Sequence, residues 1–101
     1  MRNDFLNTIY KKDPNIVSRL IAEEVILVPI RNNVADMDFI FTLNETAAYV
    51  WNMIDGTRSM SDIIDLVTKE FDVDPSLALS DLQELVQSLI DVNVLLKVTQ
   101  P

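Results

Sequence analysis

Residues 42–56 read TLNETAAYVWNMIDG, and this stretch predicts one short amphipathic helix whose two ends are both encoded in the sequence. Thr42 and Glu45 fit a capping box, while Asn44 is a rival N-cap. Gly56 is the only glycine of the chain and stands where a helix commonly ends in the left-handed conformation. The apolar positions that share one helical face are Ala47, Val50, Trp51 and Ile54. The helix is therefore expected to pack on a core through this face.

The single tryptophan lies in the middle of that face. A large aromatic side chain at helical spacing is usually a packing residue, because its apolar area is stabilising only when buried. We therefore expect Trp51 to anchor the core. Stacking of its indole on a ligand is the alternative interpretation.

The residues before this helix predict three strands. Val17–Ile21 and Val25–Val28 are rich in β-branched residues, and the short connection Ala22–Glu24 makes them a hairpin. The second strand is apolar at consecutive positions, which places it in the middle of a small sheet. After a polar loop at Ile30–Asp38, the third strand, Phe39–Thr42, runs directly into the helix.

The residues after Gly56 predict a second helix. Ser59 and Asp62 form a capping pair at its start, and the apolar pattern ends near Phe71. Its apolar stripe consists of Met60, Ile63, Ile64, Val67 and Phe71. This stripe predicts a helix with one buried face.

A third helix follows after a short turn. Asp74 is its expected N-cap, Pro75 suits the first helical position, and the helix runs to about Val92. Its apolar positions are Ala78, Leu79, Leu82, Leu85, Val86, Leu89 and Ile90. They cover a wider arc than one neighbouring helix requires, so part of the arc is expected to face something outside the domain. Val94–Val98 is either a short terminal strand or a packed tail.

Three N-terminal antiparallel strands followed by three helices predict an α+β fold that is like a winged helix-turn-helix. A chain of 101 residues can bury one core. We expect an N-terminal arm at residues 1–13 and a single domain at residues 14–101. The arm is either a frayed helical turn or a segment that docks on the domain.

The composition argues against an enzyme. The chain has no histidine and no cysteine, which removes the usual proton shuttle, the thiolate nucleophile and the commonest metal ligands. A single glycine leaves no glycine-rich loop for a phosphate group. We therefore expect no catalytic residue, no cofactor and no metal.

The charge balance argues against nucleic acid and anionic membranes as partners. Sixteen acidic residues face eight basic ones, for a net charge of −8. No lysine or arginine occurs from Glu70 to Leu96, so the last helix would repel phosphate groups where a DNA reader needs to attract them. The N-terminus has no apolar signal region and no run is long enough to span a bilayer. We expect a soluble, cytoplasmic protein.

The segment around the end of the first helix resembles the PqqD family of small peptide-binding modules, also called precursor peptide recognition elements. The residues that carry the resemblance are Trp51, Asn52, Asp55, Gly56, Arg58, Ser59, Asp62 and Ile63, continued by Val67, Phe71, Asp81, Leu82, Leu85, Leu89, Val94 and Leu95. Leu43–Asn44 and the preceding strands match in order, so the resemblance covers about residues 14–98. The sequence departs from the family pattern at Asn93–Val94, where a glycine is usual.

The resemblance implies a non-catalytic adaptor that holds the leader of a ribosomally made precursor peptide. Its partners would be that precursor peptide and a radical SAM or other peptide-modifying enzyme. The leader would add as a strand to the third strand and lie against the last helix. The core of the precursor would then be presented to the enzyme.

Strand addition gives specific candidate residues for peptide binding. The third strand has a sequence neighbour on one side only, so its other edge is expected to present unpaired backbone groups. The candidates are Phe39, Ile40, Phe41 and Thr42 on the strand, with Leu79, Gln83, Val86 and Ile90 on one border of the last helix. The opposite border, Asp81, Leu85 and Val92, is the second choice.

A structural subunit is the alternative from a different functional class. Such a subunit, or a homodimer module, would pack its helices permanently on a partner protein or on a second copy without binding peptide. Both functions are compatible with an acidic surface and a wide apolar arc. They differ because a peptide groove is narrow and borders a free strand edge, whereas a permanent interface is broad and apolar.

Overall fold

The computed structural model describes residues 4–29 and 41–98. These residues form four helices, α1 (Asp4–Asn7), α2 (Glu45–Met53), α3 (Met60–Phe71) and α4 (Pro75–Asp91), and five strands, β1 (Tyr10–Lys12), β2 (Ile16–Ile21), β3 (Glu24–Pro29), β4 (Phe41–Leu43) and β5 (Leu95–Lys97). The predicted combination of an antiparallel sheet with helices is confirmed, but α1, β1 and β5 exceed the expected three strands and three helices. The predicted loop at Ile30–Asp38 lies outside the described residues.

The main sheet has the order β2-β3-β4, with both pairs antiparallel. As predicted, the apolar second strand lies in the middle. Ala22 and Glu23 connect β2 to β3 with φ values of 51° and 70°, the left-handed pair that a two-residue hairpin turn requires. Among the described residues, strands β2 and β4 are consequently the two edges of this sheet.

The N-terminal segment docks on the rest of the molecule. Strand β1 pairs antiparallel with β5, placing Tyr10 opposite Lys97. The Asp13 backbone N–H donates to the Val94 carbonyl at 3.0 Å, and Ile9 bridges to Ser59. The side chain of Tyr10 is buried as a result, and burial raises the pKa of its hydroxyl. For the C-terminal segment Val94–Val98, the sequence allows a strand or a packed tail, and the structure contains the strand β5.

The start of α2 differs from the first expectation. Asn44 is the N-cap, and its side-chain oxygen accepts from the Ala47 backbone N–H at 2.8 Å. Thr42 lies in β4 opposite Ile26, so the predicted capping box of Thr42 with Glu45 is wrong. Strand pairing holds Thr42 in an extended conformation two residues before the cap. The rival N-cap is therefore the one that the structure uses.

The end of α2 also comes earlier than predicted. The helix ends at Met53 with Ile54 as an extended C-cap, so the prediction that it stops at Gly56 is wrong. Gly56 does take a left-handed conformation, with φ 85°, but within the turn that leads to α3. Its N–H donates to the Tyr10 carbonyl at 3.1 Å. Gly56 thus joins the turn to β1 instead of ending the helix.

Asp55 organises this turn. Its carboxylate accepts from the backbone N–H groups of Thr57 and Arg58 at 2.9 and 3.0 Å and from the Thr57 hydroxyl at 2.9 Å. The Arg58 guanidinium lies 2.8 Å away and also donates to the Met53 carbonyl. The backbone hydrogen bonds, with the Thr57 hydroxyl and the Arg58 charge, lower the pKa of Asp55 to about 2. The Asp-Gly-x-Arg segment is therefore a structural turn.

The starts of α3 and α4 agree with the sequence. Ser59 caps α3 in a capping box with Asp62, and Asp74 accepts from the N–H groups of Ser76 and Leu77 at the start of α4. At the other end of α4, Asn93 has φ 65°. Asparagine tolerates this left-handed conformation better than most residues, which explains how it replaces the usual glycine there.

The core lies between the main sheet and α2, α3 and α4. Its buried members are Tyr10, Leu27, Leu43, Ala47, Val50, Trp51, Ile54, Met60, Ile63, Ile64, Val67, Ala78, Leu82, Val86, Leu89, Val94 and Leu95. Trp51 is only 3% exposed, so its predicted role as a core anchor is confirmed. Within the described ranges, the only side-chain oxygen or nitrogen atoms of these buried residues are the Tyr10 hydroxyl and the Trp51 indole nitrogen.

Candidate functional site

The outer edge of β4 is the first part of the candidate site. β4 pairs with β3 through Phe41, Thr42 and Leu43, and no other hydrogen bond of these three residues is found within residues 4–29 and 41–98. The side chains alternate, with Leu43 buried and Thr42 exposed. Because donors and acceptors alternate along a strand, β4 presents backbone groups on the side away from β3. This edge can accept a further strand.

A groove of about 470 Å³ begins where β4 ends. Its walls come from the start of α2, the middle of α3 and one side of α4. The lining residues are Asn44, Thr46, Ala47, Val50, Ile64, Val67, Val73, Ala78, Asp81, Leu82, Glu84, Leu85 and Ser88. The volume is that of a typical small-ligand or side-chain site. Asn44 directly follows Leu43, so strand edge and groove are continuous in the chain.

The groove has an apolar floor and a polar rim. Val50, Val67 and Leu82 are at most 4% exposed and provide the floor. Thr46 lies on the α2 side of the rim, and the α4 side carries Asp81, Glu84 and Ser88. Among the lining residues that lie in the described part of the chain, none is a lysine or arginine. The groove therefore combines apolar burial with negative charge at its mouth.

The strand candidates are placed as follows. Phe41 and Thr42 lie in β4, with the Phe41 ring half-buried against the core. Phe39 and Ile40 lie outside the described residues. Thr42 is exposed while its backbone pairs with Ile26 of β3 on one side. Of the four predicted strand residues, Phe41 and Thr42 thus lie on β4, whose outer edge is the first part of the candidate site.

The helix candidates lie away from the groove. Val86 is 1% exposed and belongs to the core, Leu79 and Ile90 are half-buried, and Gln83 is exposed. None of these four lines the groove, whereas Asp81 and Leu85 of the opposite border do. The structure therefore does not bring the preferred helix border together with this groove. The two borders are separated because the buried residues Ala78, Leu82 and Leu89 lie on the strip of α4 between them.

Sequence reasoning missed the α2 and α3 walls of the groove. Ala47, Val50, Ile64 and Val67 were assigned only to the core, because helical periodicity identifies an apolar face without showing what covers it. One sequence signal for the groove exists, the apolar Val73 between two aspartates in the α3–α4 turn. In the structure Val73 is half-buried and lines the groove. The depth of the groove depends on how three helices cross, and no single helix encodes that.

Residues 4–29 and 41–98 contain no group of three or more acidic side chains placed to hold a metal ion. None of the four described helices has the length and hydropathy needed to cross a bilayer.

Two solved structures share this fold. TbiB1 in complex with the TbiA(beta) leader peptide aligns with a TM-score of 0.68 and 22% identity, covering 84% of this chain and 93% of that one. Lasso peptide synthetase B1 complexed with the leader peptide aligns with a TM-score of 0.70 and 24% identity, covering 86% and 96%. At these identities the similarity shows the fold. A comparison with curated proteins gives no match.

A family model gives the classification. The model described as coenzyme PQQ synthesis protein D (PqqD) matches residues 24–95, which is more than half of the chain. The matched range contains β3, β4, the three long helices and the turn formed by Asp55. The resemblance drawn from the residues around Trp51 is confirmed, and the chain belongs to the PqqD family.

Proposed function

We propose that this protein is a non-catalytic adaptor that binds the leader of a ribosomally made precursor peptide and presents it to a peptide-modifying enzyme. The leader adds as a strand to the outer edge of β4, and its side chains enter the groove beside α4. The modifying enzyme is a radical SAM or other maturase, and the complex acts in the cytoplasm. Family membership and the two leader-peptide complexes of the same fold support this function.

The single observation that carries the proposal is the continuity of the β4 edge with the groove. The main sheet has two edges, but β2 is followed by the hairpin turn at Ala22–Glu23, whereas β4 is followed at once by Asn44 on the groove wall. A peptide on β4 gains backbone hydrogen bonds and apolar burial together. A peptide on β2 would gain the hydrogen bonds without this groove.

The geometry changes the proposed helix contacts. A peptide in the groove would meet Asp81 and Leu85, so we now propose these residues in place of Leu79, Gln83, Val86 and Ile90. The strand contacts Phe41 and Thr42 remain. In this proposal α3 and α4 form the helix-turn-helix of a winged-helix-like fold, whose acidic last helix binds peptide and not nucleic acid.

The direct test is a binding titration. A gene for a short precursor peptide is first identified beside the gene of this protein, and the labelled N-terminal segment of that peptide is then titrated with the full chain and followed by fluorescence anisotropy. The proposal predicts saturable binding that unlabelled segment displaces. A scrambled segment of the same composition is the control, because it keeps charge and hydropathy while losing the order of side chains. Equal binding of both segments would contradict sequence-dependent capture.

A structural subunit or homodimer module is the second candidate. Leu20 and Ile21 beside the hairpin turn are 73% and 53% exposed, and such apolar exposure is typical of contact surfaces. Light scattering on the purified protein separates the candidates. The adaptor function predicts that added leader peptide binds to each copy, whatever the oligomeric state. A stable oligomer that binds no leader would favour the structural function.

A further inference from the structure

We infer that the groove selects a leader segment in which a lysine or arginine stands two positions from an apolar residue. The carboxylates of Asp81 and Glu84 bind the positive charge of that lysine or arginine, which is called the base below. The inference rests on the proposed function and specifies the chemistry of its ligand. It concerns the groove beside α4 and leaves the backbone pairing on β4 unchanged.

The charge of the groove is the first observation. Asp81 and Glu84 are three residues apart on α4, so their side chains are neighbours on one side of the helix. All of α4, from Pro75 to Asp91, contains no lysine or arginine. The residues that line the other two walls within the range 41–98 include no cation either. Of the described wall residues, a basic side chain entering the groove would therefore meet two carboxylates and no competing positive charge.

The absence of a structural task for these two acids is the second observation. Several other acids of the helical region have one: Asp55 holds a turn, Asp62 and Asp74 cap helices, and Asp91 accepts from Gln87. The side chains of Asp81 and Glu84 are exposed and have no hydrogen bond or ion pair in the part of the chain that the structure describes. Their carboxylates are therefore available to a ligand.

The spacing of the groove wall matches an extended peptide. Asp81 and Leu85 are four residues apart, which separates them by about 6 Å along the axis of α4. Alternate residues of a strand point to the same side and are about 6.8 Å apart. A peptide strand lying along α4 can therefore place an apolar side chain against Leu85 and the groove floor. Two positions along the same peptide, a lysine or arginine then lies beside Asp81. Glu84, one turn before Ser88, offers a second carboxylate to the same base.

The test begins with selection from a random peptide display library on the full-length protein. The same library is selected on the double variant Asp81→Asn with Glu84→Gln, and on a matched control, Asp65→Asn with Glu70→Gln. The control removes two exposed carboxylates from α3 that do not line the groove, so the two double variants have the same net charge. We expect binders from the parent and the control to contain an apolar residue with lysine or arginine two positions away. Binders from the groove variant should keep the apolar residue and lose the base.

One selected peptide and its analogue with glutamine in place of the base are then titrated against each protein. The groove variant should bind the basic peptide about fivefold more weakly than the parent does, as expected for exposed ion pairs. It should bind the glutamine analogue as the parent does. The control should match the parent with both peptides.

Each other outcome has a definite meaning. Binders that carry lysine and arginine only at library frequency, or an equal loss in both double variants, would overturn this inference while leaving strand addition intact. A library that yields no binder to the parent would contradict the proposed function, and the inference with it.

Discussion

The Lys12 ammonium lies 5.2 Å from the centre of the Trp51 ring, which joins β1 to the core helix α2. Burial lowers the pKa of Lys12, and the nearby Asp55 carboxylate counteracts this shift. The contact shows that the N-terminal segment packs on the centre of the domain. Trp51 is thereby enclosed from the N-terminal side as well as by the helices, and its ring is not open to a ligand.

Replacing Trp51 by alanine tests this structural role. Trp51→Ala should lower the free energy of unfolding by ~3–5 kcal/mol, because it empties a buried aromatic site. Lys12→Met is the matched control, which keeps most of the aliphatic stem and removes only the cation over the ring, at a cost of at most ~1 kcal/mol. Urea denaturation measures both. A Trp51→Ala protein that is as stable as the parent but no longer binds the leader would show that the indole is a ligand contact.

The turn formed by Asp55 predicts a pH dependence. Its folded pKa of about 2 lies below the ordinary value, so the hydrogen-bonded carboxylate stabilises the fold above pH 4. This contribution is lost as the pH falls from about 4 towards 2. In Asp55→Asn the side chain cannot ionise. The stability difference between parent and variant should therefore shrink between pH 6 and pH 2, as measured by thermal unfolding, and a constant difference would contradict this account of the turn.

Two leucines of α4 distinguish the borders of that helix. Leu85 and Leu79 are both half-buried, but only Leu85 lines the groove. Leu85→Ala should weaken leader binding by ~1–2 kcal/mol, about 5- to 30-fold in Kd, because apolar contact with the peptide is lost. Leu79→Ala should leave the Kd unchanged. Anisotropy titrations measure both variants, and the reverse result would restore the border first chosen from the sequence.

The acidic last helix predicts no binding to duplex DNA. Helix α4 carries Asp81, Glu84 and Asp91 and no basic residue, so it would repel phosphate groups. Mobility-shift assays with mixed duplexes at moderate ionic strength should show no complex. A complex that weakens as salt is added would contradict this prediction, since salt dependence marks binding to phosphates.

Local signals in the sequence predicted much of this fold. Ser59 and Asp74 cap their helices as expected, because each cap depends only on residues two or three positions away. Thr42 was misassigned because its conformation depends on pairing with Ile26, sixteen positions earlier in the chain. The pairing of Tyr10 with Lys97 joins the two ends of the chain and has no local signal.

The candidate site was predictable only in its backbone part. A short third strand before a helix indicates a sheet edge, and β4 is such an edge. The choice between the two borders of α4 depends on how that helix rotates against α3, which its own apolar arc leaves undetermined. Leu79 and Leu85 both satisfy helical periodicity, and only the packed structure separates them.

Amide hydrogen exchange, resolved residue by residue by NMR, tests strand addition most directly. In the free protein, outward N–H groups of Phe41–Leu43 should exchange fast, while those bonded to β3 exchange slowly. Saturating leader peptide should slow the outward amides of β4 and leave the edge amides of β2, Ile16–Ile21, unchanged. Protection at β2 alone, or no change at β4 with the peptide bound, would contradict capture of the leader by β4.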